Sequence, residues 1–211
     1  MKKFELTNEF ITNMFGTKLF RIRALVEFGD VEAGELGGYV EKESNLGHDD
    51  NAWVYDNAWV YGNARVYGDA LVYDNARVYD NAWVYGDAQV SGDARVYGNA
   101  RVYGNAWVYG NAWVYGNAWV YGNALVCSDE DYAYAHGFGS VNRTTTFFRL
   151  KDGGVGVRCG CFYGTLAQFR DKIRETHGET KKAQEYLMLA DLMELRFEED
   201  ENEVGNRKYV E

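Results

Sequence analysis

The 211-residue sequence predicts a mainly β protein: a parallel β solenoid of short stacked strands between a strand-rich N-terminal cap and a small α+β C-terminal domain. Three observations carry that expectation. A six-residue unit, (N/D)-A-x-V-Y-(G/D), recurs thirteen times from Asn51 to Ser128 without an insertion. Within each unit Ala and Val stand two apart, which puts them on one face of an extended strand, and a six-residue period fits neither helical spacing nor a heptad. The chain contains no proline, so every strand keeps the N–H that pairing with its neighbour requires.

Each slot of the unit has a physical reading. Ala and Val, invariant in all thirteen units, form the inward face. The slot between them holds Trp, Arg, Leu or Gln; four arginines there (Arg65, Arg77, Arg95, Arg101) cannot all be buried unpaired, so this slot faces solvent, and Tyr two residues on faces out with it. On this reading all six Trp lie outside. Gly or Asp followed by Asn or Asp supplies residues that tolerate a left-handed backbone at a corner. Identical strands turning regularly close as a solenoid with coils stacked about 4.8 Å apart.

Residues 1–50 read as an N-terminal cap with a degenerate first coil. Lys18 to Phe28 is β-prone, and 45–50 (N-L-G-H-D-D) reads as a degenerate unit with Leu46 in the Ala slot and His48 in the Val slot. Its role is to cover an open strand edge. Residues 51–128 are the repeat and 129–211 the C-terminal domain. There T-T-T-F-F-R-L-K and V-G-V-R-C-G-C, separated by Asp152-Gly153-Gly154, read as a hairpin. Thr165 with Gln168 forms a capping box for a helix to about His177, ended by Gly178. A second helix, about 180–199, carries Ala183, Tyr186, Leu187, Ala190, Met193 and Phe197 on one stripe, which completes a ββαα segment.

V-Y-G-N-A-R and its variants resemble the hexapeptide repeat of left-handed parallel β-helix proteins. That resemblance implies a left-handed, triangular solenoid with three units per coil, hence about four to five coils. Units three apart then stack, and Asn side chains at one corner are expected to form hydrogen-bonded ladders. The slot after the aliphatic residue departs from the family, where it is often small; here it is Tyr in 11 of 13 units. The entry segment 24–46 and the ending G-C-F-Y-G-T-L-A-Q-F…T-H-G are similar to hexapeptide-repeat proteins often encoded by bacteriophages and prophages and loosely labelled transferases. The resemblance implies a fold and a setting, with no established reaction.

Acyltransferases of that superfamily use a histidine as general base beside the coil. The chain offers His48, read as a capping or buried residue, His136, read as a loop residue, and His177, read as the cation of a helix C-terminus. An acyltransferase-like enzyme with an inter-subunit site around His48 or His136 is therefore the alternative reading, and a structural spacer a third. No catalytic residue, cofactor or metal site is assigned. Asp129, Glu130 and Asp131 read as a solvated turn, and Cys159 and Cys161 as a small buried pair.

The composition excludes several classes. With 46% hydrophobic and 16% aromatic residues the chain is too apolar for disorder, and no run approaches the ~18–20 residues that span a bilayer. Three cysteines support no disulfide framework, and the expected compartment is the cytoplasm, in a phage setting that of the bacterial host. The net charge is −10, and the repeat itself has four Arg against six Asp, so nucleic-acid binding by phosphate neutralisation is not expected. The expected function is non-enzymatic: a rigid rod whose Trp, Tyr and Arg ladders support self-association, as a dimer or trimer, and binding of a protein partner. In a phage setting that partner would be a host macromolecule to inhibit or sequester. The expected contact residues are Arg95, Arg101, Trp107, Tyr109, Trp113, Tyr115, Trp119 and Tyr121.

Overall fold

A computed structural model describes residues 2–139 and 142–198. Three N-terminal strands, β1 (Phe4–Thr12), β2 (Lys18–Ala24) and β3 (Leu36–Val40), precede thirteen strands of two or three residues, β4 to β16, which run from Trp53–Val54 to Leu125–Val126, one per repeat unit. These pair in parallel with the strand three units away and build three faces. Trp53, Leu71, Gln89, Trp107 and Leu125 stand in register on the first face. Trp59, Arg77, Arg95 and Trp113 occupy the second. Arg65, Trp83, Arg101 and Trp119 occupy the third.

The inward face is as the pattern requires: all thirteen Ala and all thirteen Val of the repeat are fully buried in one continuous core. Backbone N–H groups bond from coil to coil, for example Trp59 to the Ala76 carbonyl at 2.9 Å and Tyr61 to the Val78 carbonyl at 3.0 Å. At the corners nine glycines adopt φ of 62–71°, and Asp56, Asp74 and Asp80 take the same left-handed conformation. Asp tolerates it because its carboxylate has local work: Asp74 and Asp80 accept the N–H of Gly92 and Gly98 one coil on, at 3.0 and 3.3 Å. One corner carries the expected ladder, in which Asn63, Asn81 and Asn99 each donate an amide hydrogen to the next, ending at Asn117, at 3.1–3.3 Å.

The coil stack begins before the regular repeat. Val40 pairs with Val60 and Leu46 bridges Val66, in each case two residues further along than the regular coil period, so Gly38 takes an Ala slot and Leu46 a Val slot. Only glycine fits at 38, because a Cβ there would lie 2.7 Å from the Ala58 carbonyl oxygen. Five coils result. The shift corrects the reading of His48, which leaves the core slot to Leu46 and lies against the cap instead, its ring stacked on Phe4 at 4.5 Å. β1 and β2 extend the second face as an antiparallel hairpin. Phe4 and Phe28 from the N-terminal cap close over Trp53, with centroids 6.2 and 5.3 Å away, and bury it completely, so Trp53 is a core residue and not one of an outer ladder of six. Lys3 ties the cap down by donating to the Asp50 and Ala52 carbonyls at 2.6 and 2.8 Å, and burial lowers its pKa to about 8.

The other end is closed by an antiparallel meander of β17 (Tyr132–Phe138), β18 (Arg143–Arg149), β19 (Val155–Cys159) and β20 (Phe162–Thr165), followed by α1 (Leu166–His177) and α2 (Lys181–Phe197). The expected hairpin is β18–β19, to which β17 and β20 add an edge on either side. Thr165 and Gln168 form the reciprocal capping box, and Gly178 ends α1 at φ +57°. Strand alternation divides the sheet between two cores: Phe148 faces the last coil and Phe147 faces the helices, where it meets Phe169 in a core shared with Ile173, Ala183, Tyr186 and Ala190. Polar contacts complete the closure. Thr146 accepts the Trp119 N–H at 2.9 Å, and Tyr132 donates to the Trp113 carbonyl at 2.6 Å. The acidic turn shares this work, since Asp129 accepts the Trp113 N–H at 2.7 Å. Asp131 is buried, paired with Arg149 at 3.2 Å and bonded to the Cys127 and Ser128 N–H groups. Asp131 is therefore a buried capping group, whereas Asp129 caps the Trp113 N–H from an exposed position.

Candidate interaction surface on the solenoid

In-register stacking turns each outward slot into a column. Tyr61, Tyr79, Tyr97 and Tyr115 stack with centroids 4.9–5.3 Å apart, and Tyr67, Tyr85, Tyr103 and Tyr121 with centroids 4.3–4.9 Å apart. On the remaining face Ser91 interrupts the column, and Tyr73 donates to Gln89 at 3.1 Å. The rings shield one another, and this burial raises the phenol pKa of Tyr79 and Tyr85 to about 12. Tyr61, Tyr67, Tyr97 and Tyr103 shift the same way for the same first cause.

Beside the tyrosines, arginine alternates with tryptophan on the third face, and on the second two arginines stand between two tryptophans. Arg77 lies 4.3 Å from the Trp59 ring and Arg95 4.6 Å from Trp113. Arg101 is sandwiched between Trp83 and Trp119 at 4.8 and 4.9 Å. The cap continues these columns: Arg158 sits 5.3 Å from Trp119, and Lys151 lies 4.0 Å from Trp107. Each such contact contributes about 0.5–1 kcal/mol at an exposed site. Much of the aromatic surface is thus covered by its own neighbours.

What remains open lies on the last complete coil. Trp107, Trp113 and Tyr115 are 41%, 40% and 40% exposed, whereas Tyr109, Trp119 and Tyr121 are half-buried. Trp107, Trp113 and Trp119 stand on three different faces, so the fold does not gather them into one patch. It does bring Arg95, Trp113 and Tyr115 together on the second face. There the column ends: Trp113 has Arg95 on the coil before it, and the last rung, Tyr115, meets the edges of Tyr132 and Tyr134. Lys151 and Arg158 were not identifiable from the sequence, because only the register between the C-terminal hairpin and the last coil sets them beside Trp107 and Trp119.

The histidines are placed separately. His48 accepts the Lys3 N–H at 3.2 Å, and burial lowers its pKa. His136 is exposed on β17 with Nδ1 3.0 Å from the Thr144 hydroxyl. Cys159 and Cys161 do not form a buried pair: Cys161 is exposed at the β19–β20 turn, and both border a cleft of ≈ 270 Å³ with Arg143, Lys172, His177 and Tyr186. Among the described residues no three His, Cys, Asp or Glu side chains cluster as a metal site would require, and no helix is long and apolar enough to cross a membrane.

Comparison with known proteins agrees with the coil geometry. The family model described as the YdcK beta-solenoid repeat matches residues 58–72, 70–86, 88–104, 94–110, 100–116 and 106–122, all within the repeat. The chain is a β-solenoid repeat protein. No curated protein matches it in sequence. The matched windows span the β-solenoid faces that carry Arg95, Arg101, Trp107, Trp113, Tyr115, Trp119 and Tyr121, and they include neither cap.

Proposed function

We propose that this β-solenoid protein is a non-enzymatic interaction protein. It self-associates and binds a second macromolecule, a protein, through the aromatic surface of its last complete coil. The observation that supports this most is the difference in cover along the ladders. Most Trp and Tyr of the repeat are shielded by stacked rings and cations, whereas Trp107, Trp113 and Tyr115 keep about 40% of their surface open on a backbone fixed by coil-to-coil hydrogen bonds. Rigid aromatic groups lose little entropy on binding and are enriched at hot spots.

The finer assignment, to left-handed hexapeptide-repeat β-helices of a phage-associated group acting in the bacterial cytoplasm, is part of this proposal. It is supported by the six-residue unit and by the two flanking segments. In that setting the partner is a host protein that the rod sequesters or inhibits.

The test replaces Trp107, Trp113 and Tyr115 by Ser in the full chain. Circular dichroism and melting should show a folded solenoid, while partner recovery from the native host falls at least tenfold and the sizing profile moves to the smaller species. Unchanged recovery and size from a folded variant reject the proposal.

A further inference from the structure

The tyrosine columns place phenol rings in a relation that goes beyond packing. In the column from Tyr61 to Tyr115 every neighbouring pair lies within 5.3 Å and 16° of parallel, and the column from Tyr67 to Tyr121 keeps its rings within 4.9 Å and 30°. A phenol that loses one electron and its proton becomes a tyrosyl radical, with spin density on the ring carbons beside the oxygen. In most folded proteins such a radical meets water or an unrelated side chain. Here a second phenol of the next coil stands directly beside it, in two columns and in every pair of adjacent coils from the second to the fifth.

We propose that the two columns are a site of oxidative modification, at which a one-electron oxidant couples tyrosines of adjacent coils into dityrosine and cross-links the solenoid along its length. Two phenols each give up one electron and one proton to the oxidant and solvent. A carbon–carbon bond forms between ring carbons beside the two oxygens, and rearomatisation moves each ring hydrogen at the new bond to its phenol oxygen. The net change is the loss of two hydrogen atoms per link, and with persulfate as terminal acceptor the two electrons convert it to two sulfates.

The arrangement also favours migration of the radical along a column until it meets a second one. Burial keeps Tyr79 and Tyr85 protonated up to about pH 12, so tyrosinate is not the starting species at neutral pH and electron and proton leave together. The first face supplies an internal control. Ser91 breaks its column, and Tyr73 is engaged with Gln89 in place of a stacked phenol.

The experiment uses the full chain at low concentration, illuminated with a ruthenium tris-bipyridine complex and persulfate. Dityrosine fluorescence should appear in the monomer band, with peptide mapping placing links between tyrosines one coil apart in the two columns and none at Tyr73. Tyr79→Phe with Tyr97→Phe leaves no adjacent phenols in one column and keeps the rings; it should halve the yield. Adding Tyr85→Phe and Tyr103→Phe, with Tyr115→Phe and Tyr121→Phe to remove the rungs that touch Tyr132, Tyr134 and Tyr163 of the cap, should reduce it at least tenfold, with circular dichroism unchanged. Absence of dityrosine in the unsubstituted chain, links mainly between molecules, or persistence of the yield in the sixfold variant overturns the proposal.

Discussion

Raising the pH from 9 to 12 should unfold the protein in one cooperative step, with tyrosinate absorbance rising together with loss of the β-sheet signal. Ten phenols, of Tyr55, Tyr61, Tyr67, Tyr79, Tyr85, Tyr97, Tyr103, Tyr132, Tyr163 and Tyr186, are held above their usual pKa, in every case first by burial. Above pH 10 the unfolded chain sheds phenolic protons that the folded chain retains. The unfolded state then binds fewer protons, and stability falls with rising pH until the folded values, about 12 for Tyr79 and Tyr85, are passed. Lys3 acts in the opposite sense. Its folded pKa of about 8 lies below the unfolded 10.5, so stability rises between those values as the buried ammonium discharges. One lysine against ten tyrosines leaves a shallow gain up to about pH 10 and a steep loss beyond it. One pKa unit corresponds to about 1.4 kcal/mol, and solvent screening of half-exposed phenols leaves a fraction of that for each. Ten acting together still weigh heavily against a total stability of about 5–15 kcal/mol. Replacing Tyr79 and Tyr85 by Phe should move the alkaline midpoint upward; a midpoint that does not move would separate the ladder from the transition.

The second large effect is expected at the C-terminal closure. Phe148→Ala should destabilise the protein by about 3–5 kcal/mol, because the ring is fully buried in the solenoid core at the end of the last coil and its removal leaves a cavity. Phe147→Ala, one residue earlier, should cost a comparable amount in a different place, since that ring belongs to the core between sheet and helices. Chemical denaturation gives the magnitudes, and hydrogen exchange assigns the site. The Phe148 variant should lose protection at the last coil, including the Trp119 N–H held by Thr146, whereas the Phe147 variant should lose it in α1 and α2. Opening the last coil also exposes unpaired strand edges, so the Phe148 variant is the one expected to aggregate.

The repeat was legible from the sequence because a six-residue period with Ala and Val two apart leaves one inward face, and coil closure in threes then fixes every column. The register of Trp53 with Leu71 and of Arg101 with Trp119 follows directly. What the repeat conceals are the places where another segment covers it. Trp53 shares the slot of Trp107 yet is buried, because Phe4 and Phe28 arrive from residues far away in the chain. The first coil was hidden by its extra two residues, which move Leu46 into the slot where the regular spacing puts His48. On the interaction surface the residue types were readable and their grouping was not. Trp107, Trp113 and Trp119 are consecutive units of one coil, and for that reason they point away from one another. Their different exposures depend on Lys151, Arg158 and the end of the second column, all set by long-range docking of the cap.

Side-chain footprinting of the protein alone and in the complex purified from its native host is the most direct test of the proposed interface. In the free protein Trp107 and Trp113 should oxidise fastest and Trp53 slowest, following their exposure. In the complex Trp113 and Tyr115 should be protected several-fold, with Trp59 and Trp83 unchanged. Equal labelling of Trp107, Trp113 and Tyr115 in the free and bound protein would contradict a partner site on the last coil.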